Sequence, residues 1–343
     1  MNRCSALCRP VCWVRMLVIP ISLSTAHAQD LGISNMFPPM EIKVIAPSTN
    51  PPGVGGVLVK LGIPIILKIN STSQSSPQPS SERISWFSRQ MKQDGGFTDW
   101  RLLSNASHGM ECIFTPIGGG IFQILATLTK NGQAVEIPYL RKQDASDCID
   151  GDGHCSVVGK RGSPEFIGVT ETDQQIAFRN KAHEQIGTTN YSKGASLTVP
   201  TSSLLGSYTI PSGHDKCNAF VYVMANSAES PVPLTRRNKL FLIVNPPLAY
   251  DWYDGTYSIT GWKVIAPKDY PQPGFVVARP DASVWNKNDP MYGCNHGQRY
   301  AHVGILDYDG SWIQADEKMV DEYPSLTDPK YQPIGMRRYT GNK

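Results

Sequence analysis

The sequence predicts an α+β protein, with strands filling its first half and helices interleaved with strands in its second. Three observations carry this. Residues 41–143 run through short β-branched and aromatic segments broken by turn residues. The 30 Gly and 27 Pro in 343 residues favour many short strands over a helical bundle. Beyond residue 165, helical spacing appears over Thr172–Ile186, with Ile176, Phe178 and Ala182 on one stripe, and in the dense apolar run after Cys217. Hydrophobic residues make up 40% and charged residues 18%, a composition that builds a buried core.

In the first half the strands are expected at Glu41–Ala46, Val57–Ile69, Arg83–Arg89, His108–Thr115 and Gly120–Thr129. Asn131-Gly132 accepts positive φ at both central turn positions, so it should join Ile121–Leu128 to Val135–Tyr139. Asn70–Glu82 is rich in Ser, Gln and Pro and reads as a loop. The strand spacing around Trp86 resembles an immunoglobulin-like sandwich over residues 29–143, although Cys112 is the one Cys in that stretch. Residues 144–164 read as a linker, and 165–343 as a second domain. Asp150 and Asp152 in the linker suggest a calcium loop, but the closing Glu is missing. A turn clamped by a Cys148–Cys155 disulfide is the stronger reading.

Residues 1–28 read as a secretory signal. Arg3, Arg9 and Arg15 form a basic start, Met16–Thr25 is apolar but too short to span a bilayer, and Ala26-His27-Ala28 offers small residues to a signal peptidase. Removing them takes three Arg and no acid, so the net charge falls from +3 to 0. A neutral mature chain has no global field to gather nucleic acid or an anionic membrane. An exported, periplasmic or secreted protein is expected. Five Cys remain after cleavage, at 112, 148, 155, 217 and 294, and an odd number leaves a thiol over.

Two stretches carry chemistry. In Gly213-His214-Asp215-Lys216-Cys217-Asn218-Ala219-Phe220-Val221, Asp215 reads as an N-cap and Cys217 falls in the first helical turn. The helix dipole and Lys216 there favour a thiolate, the form that attacks. A packed or bridged Cys is the plainer reading of that stretch alone. The second stretch, Tyr300 to Asp316, is a hairpin pattern turning at Asp309-Gly310. A two-residue turn would pair Tyr308 with Ser311 and put Gln314 on the face opposite to His302, whereas a three-residue loop with Gly310 in a bulge would pair Asp307 with Ser311. His302, Gly304, Trp312, Gln314 and Asp316 then share a face, with Asp316 opposite His302 and Gln314 diagonal to it. His214 is a rim residue or a rival base, and Cys294 with His296 makes no metal site on its own.

Lys216-Cys217-Asn218-x-Phe220-Val221 opening a helix, His302-Val303-Gly304-Ile305 on a strand, and a polar residue twelve positions after the His together resemble the NlpC-type family of cell-wall peptidases. The resemblance covers about residues 165–340. It implies a papain-like core in which Cys217 is the nucleophile, His302 the base and Gln314 the residue that orients His302, with Asp316 as the fallback. Ile186-Gly187-Thr188-Thr189-Asn190-Tyr191 is similar to the family's Gly-Thr-Pro-Tyr segment, which implies that Tyr191 assists the backbone N–H groups around Asn218 at the oxyanion. Pro273-Gly274-Phe275-Val276-Val277 is similar to its Pro-Gly-Asp-Val segment, with Phe275 in place of the acid. The resemblance implies hydrolysis of amide bonds in peptidoglycan stem peptides, without a metal or other cofactor. Trp252 and Gly261-Trp262 resemble amidase effectors that bacteria inject into rivals, which would bring an immunity or inhibitor protein as a partner. A non-catalytic wall-binding or adhesion protein with a decayed peptidase fold is the alternative.

Overall fold

Strand β7 (Gly120–Lys130) is the spine of the first half. It pairs antiparallel with β4 (Ile84–Gln90) on one side and β9 (Glu165–Thr170) on the other. Along β4, Ile84, Trp86 and Ser88 are buried while their neighbours are half-exposed, the alternation of a sheet with one face on a core. In this computed structural model the described residues are 40–45, 57–71, 84–103, 110–130, 133–136, 165–200, 207–236, 244–280, 301–329 and 334–341. The signal segment, the linker with Cys148 and Cys155, the Ser-rich loop beyond Ser71, and Cys294 with His296 lie outside them.

Most of the expected strands are present. The stretch expected as one strand over Val57–Ile69 divides into β2 (Val57–Lys60) and β3 (Ile65–Ser71), because the chain turns at Gly62 with φ +85°. A second sheet orders β1 (Met40–Ile45), β3 and β6 (Glu111–Phe114). Its Phe114 meets Phe122 of β7 edge to face at 5.3 Å, joining the two sheets. β8 (Gln133–Glu136) returns antiparallel along β7 with Lys130 opposite Gln133, while Asn131-Gly132 itself lies outside the described residues. β2 runs parallel to β9, so the six-stranded sheet containing β4 and β7 takes one strand from beyond the linker.

A six-stranded antiparallel sheet forms the second half, in the order β14 (Trp262–Val264), β19 (Gly335–Tyr339), β15 (Val276–Pro280), β16 (Ala301–Leu306), β17 (Ser311–Ala315), β18 (Val320–Ser325). The protein is therefore mixed α+β and mostly β. One face of this sheet carries Val276, Ala278, Val303, Ile305, Ile313 and Ala315. Helices α1 (Asp173–His183) and α2 (Cys217–Ser227) pack on that face, through Phe178 and Ala182 of α1 and Phe220, Val221 and Met224 of α2. α1 starts at a capping box in which Thr172 and Gln175 satisfy each other's backbone N–H. It ends four residues before Gly187, whose φ of +81° carries the chain out of the helix.

The opposite face presents Phe275, Val277, Leu306 and Trp312 to Met91 and Ile121 of the first half, in one shared core. Phe275, which stands where the resembling family has an acid, is 1% exposed in this core. The tip of the β16–β17 hairpin is part of the same junction. Gly310 has φ +89°, and a Cβ on it would lie 2.6 Å from the Met91 side chain. Trp252 and Trp262 meet edge to face at 5.1 Å inside the helix-side core, as packing residues.

Candidate functional site

α2 begins at Cys217 itself, which corrects the expected cap. The N-cap is Lys216, and it offers no side-chain hydrogen bond. Asp215 turns outward to an ion pair with Lys193 at 3.4 Å. The first-turn N–H groups, left without a side-chain acceptor, face the Cys217 sulfur, which takes backbone hydrogen bonds from Cys217 and Asn218. Asn218 is half-buried beside it. Lys216 is 1% exposed, and its Nζ donates to the carbonyls of Ser192 and His214, each at 2.9 Å. Its charge is thus spent on carbonyls, and it ties the Tyr191–Lys193 segment to the start of α2. Tyr191 is buried and sets its ring edge to face against Phe220 at 5.1 Å.

The β16–β17 register is the one the three-residue loop requires. Asp307 N–H donates to Ser311 O at 2.8 Å, and the rungs are Ile305 with Ile313 and Leu306 with Trp312. Continuing that register sets Gly304 opposite Gln314 and His302 diagonal to Gln314. The close approach explains the glycine, since a Cβ on Gly304 would lie 2.7 Å from Ile313 O and 3.2 Å from Gln314 Cβ.

The same geometry brings the sulfur to the backbone of Val303, the residue after His302, on the face that carries the helices, while the His302 and Gln314 side chains alternate to the other face. Leu306 N–H points to Phe275 on β15, and Asp307 N–H to β17, so the odd residues of β16 aim their N–H groups toward β17. No rung forms beyond Ile305 and Ile313, and the Val303 N–H instead bonds the Cys217 sulfur. The sulfur therefore lies beside the Val303 N–H, one residue along the chain from His302. Cys217 is a free thiol. So is Cys112, buried on β6, which means a count of leftover thiols does not single out Cys217.

The expected thiolate is overturned. Burial dominates and raises the Cys217 thiol to about 11, with Asp215 adding to the rise and the three amide N–H groups only partly opposing it. At neutral pH the sulfur is protonated. Iodoacetamide should consequently label Cys217 slowly at pH 7, the rate rising about tenfold per pH unit toward 10. A labelling rate already flat at pH 7 would contradict this.

Gln314 is 4% exposed and hydrogen-bonds Asp321, its cross-strand partner on β18, while its Oε1 is buried with no partner. Asp316, the fallback, is exposed at the end of β17, where its carboxylate accepts from Glu317 N–H at 2.8 Å. Two residues on the His302 face were not anticipated. Arg279 of β15 is the cross-strand partner of His302, and Asp321 closes the row beyond Gln314. Arg279 was within reach of sequence reasoning had β15 been paired to β16. Asp321 was not, because a register shift between Ser311 and Ile313 decides that it, and not Glu322, lies opposite Gln314.

On the helix side of the sheet, the ligating atoms of His183, Asp307 and Glu322 lie within 4.8 Å of one another. Arg179 already holds Asp307 in a fully buried ion pair, which makes this an internal charge network. Comparison with protein-family models, with characterised proteins and with solved structures finds no match to this chain. No helix among the described residues is long and apolar enough to cross a membrane.

Proposed function

We propose that the protein is an exported cysteine peptidase or amidase that hydrolyses an amide bond in peptidoglycan stem peptides, with Cys217 as nucleophile, His302 as base and Gln314 as the residue orienting His302. The NlpC-type resemblance supplies the substrate class and the papain-like assignment, and the immunoglobulin-like reading of the first half likewise rests on sequence. One observation carries the chemistry: an unbridged sulfur at the mouth of α2 bonds the amide next to His302.

In this reading His302 removes the thiol proton as the sulfur attacks the carbonyl carbon. The C=O electron pair moves to oxygen, and the first-turn N–H groups of α2 stabilise the oxyanion. His302 returns the proton to the leaving amine, and water then releases the acyl group from sulfur. Tyr191 packs the helix start and is a candidate second support at the oxyanion.

The raised thiol favours a second reading, a wall-binding protein whose peptidase site no longer turns over. Purified sacculi incubated with mature protein separate the two. Wild type is expected to release soluble fragments, whose masses identify the bond, and Cys217→Ala to release none. Equal release by both would remove the catalytic claim.

A further inference from the structure

We propose that Asp321 is a positioning residue that sets which end of the Gln314 amide faces His302, and thereby switches the His302 orientation with pH. The inference rests on the catalytic reading above, but its geometry does not. Gln314 and Asp321 are cross-strand partners on β17 and β18 and share a side-chain hydrogen bond. Gln314 Oε1 and Asp321 Oδ1 are both buried without a partner. A primary amide held at one end has one polar atom left to offer at the other. With the Asp321 carboxylate accepting from Nε2, the end offered is Oε1, the acceptor an imidazole N–H needs. A protonated Asp321 reverses this: its O–H is a donor, the acceptor it finds is Oε1, and the amide turns Nε2 toward His302 instead.

The remaining groups on this face set the balance. Burial raises the Asp321 carboxyl to about 7, and the Asp316 carboxylate adds to the rise. Arg279 faces His302 from β15, and Asp316 lies beyond Gln314 at the end of β17. Ionisation of Asp321 therefore falls near neutral pH.

The test follows the His302 ring resonances by NMR in full-length mature protein from pH 5 to 9, beside the pH profile of fragment release. Wild type should show a second inflection in the His302 shifts near 7 and an acid limb in the activity. Asp321→Asn should lose both, with kcat reduced roughly two- to tenfold, the scale of one neutral hydrogen bond. Asp321→Glu, which keeps the carboxyl, should retain an inflection. Wild type and Asp321→Asn giving the same His302 titration would overturn the inference, whatever the activity. A normal inflection in a protein that releases nothing from sacculi would instead sink the catalytic reading and leave the Asp321–Gln314 switch standing.

Discussion

His302→Ala should lower fragment release at pH 7 by about a thousandfold or more, and should convert the pH profile into a straight climb. A thiol raised to about 11 is ionised in roughly one molecule in ten thousand at pH 7, since each pH unit below the pKa is a factor of ten. On the catalytic reading, attack does not wait for the thiolate. It needs a base that takes the proton during attack, and that assistance is worth about a hundred- to ten-thousandfold. Without His302 the remaining route is the rare free thiolate, so the rate should rise tenfold per pH unit up to about pH 10. Wild type should instead climb less steeply, because its base takes the proton during attack.

This outcome separates a working base from a bystander. His302 is half-buried at the start of β16, so its removal is not expected to shift Tm by more than about 2 °C. A variant retaining a tenth of the wild-type rate, or one whose profile flattens by pH 7, would show that another group deprotonates Cys217. His214 is the nearest rival in sequence, and its carbonyl is engaged by Lys216. Combining His302→Ala with Cys217→Ala should cost little more than Cys217→Ala alone, as residues that act as a unit are strongly non-additive.

What could be read from the chain follows the range of the interactions involved. The hairpin was legible because Asp309-Gly310 marks its turn locally, although that pair left a two-residue turn and a three-residue loop both open, and the structure takes the three-residue loop with Gly310 at φ +89°. The α1 stripe of Ile176, Phe178 and Ala182 was legible for the same reason. The start of α2 was legible to within a residue, but the cap was not: Asp215 has the right chemistry at N′ and is drawn away by Lys193. The protonation of Cys217 was not legible, because sequence displays a helix dipole and conceals burial. Nor was the parallel pairing of β2 with β9, across more than a hundred residues. Asp321 was hidden by a one-residue bulge, which moves a side chain to the other face of a strand.

The charge network under α1 gives the largest expected effect on stability. Arg179 and Asp307 are both 0% exposed and paired, and Asp307 also accepts the N–H of Tyr308 at 2.6 Å. Burial would raise the Asp307 carboxyl, but Arg179, hydrogen bonds and His183 together bring it below its ordinary range. Glu322 moves the other way. Burial and the neighbouring Asp307 and Asp309 charges push it well up, and it accepts the Ser311 hydroxyl at 2.8 Å. Arg179→Met removes the guanidinium paired with Asp307 from a site that also holds Asp309 and Glu322, and strands Asp307. Breaking a buried pair from one side costs about 3–5 kcal/mol. In a fold of this size that lowers Tm by roughly 6–20 °C.

The pH dependence has a definite sign. In wild type the depressed Asp307 contributes stability that is present above its unfolded pKa and is lost as pH falls through its lower folded value. In Arg179→Met the same carboxyl, now uncompensated, has a raised folded pKa, so the variant loses stability as pH rises through and above the unfolded value. The Tm gap between the two proteins should therefore be widest at pH 8 and narrow toward pH 4. Arg179→Met combined with Asp307→Asn should recover part of the loss at pH 8, since no charge is then left unpaired. Calorimetry across that range decides it. A gap that stays constant from pH 4 to 8 would mean that Arg179 supports α1 by packing over Tyr308, its ring centroid 5.7 Å away, and not by holding a charge.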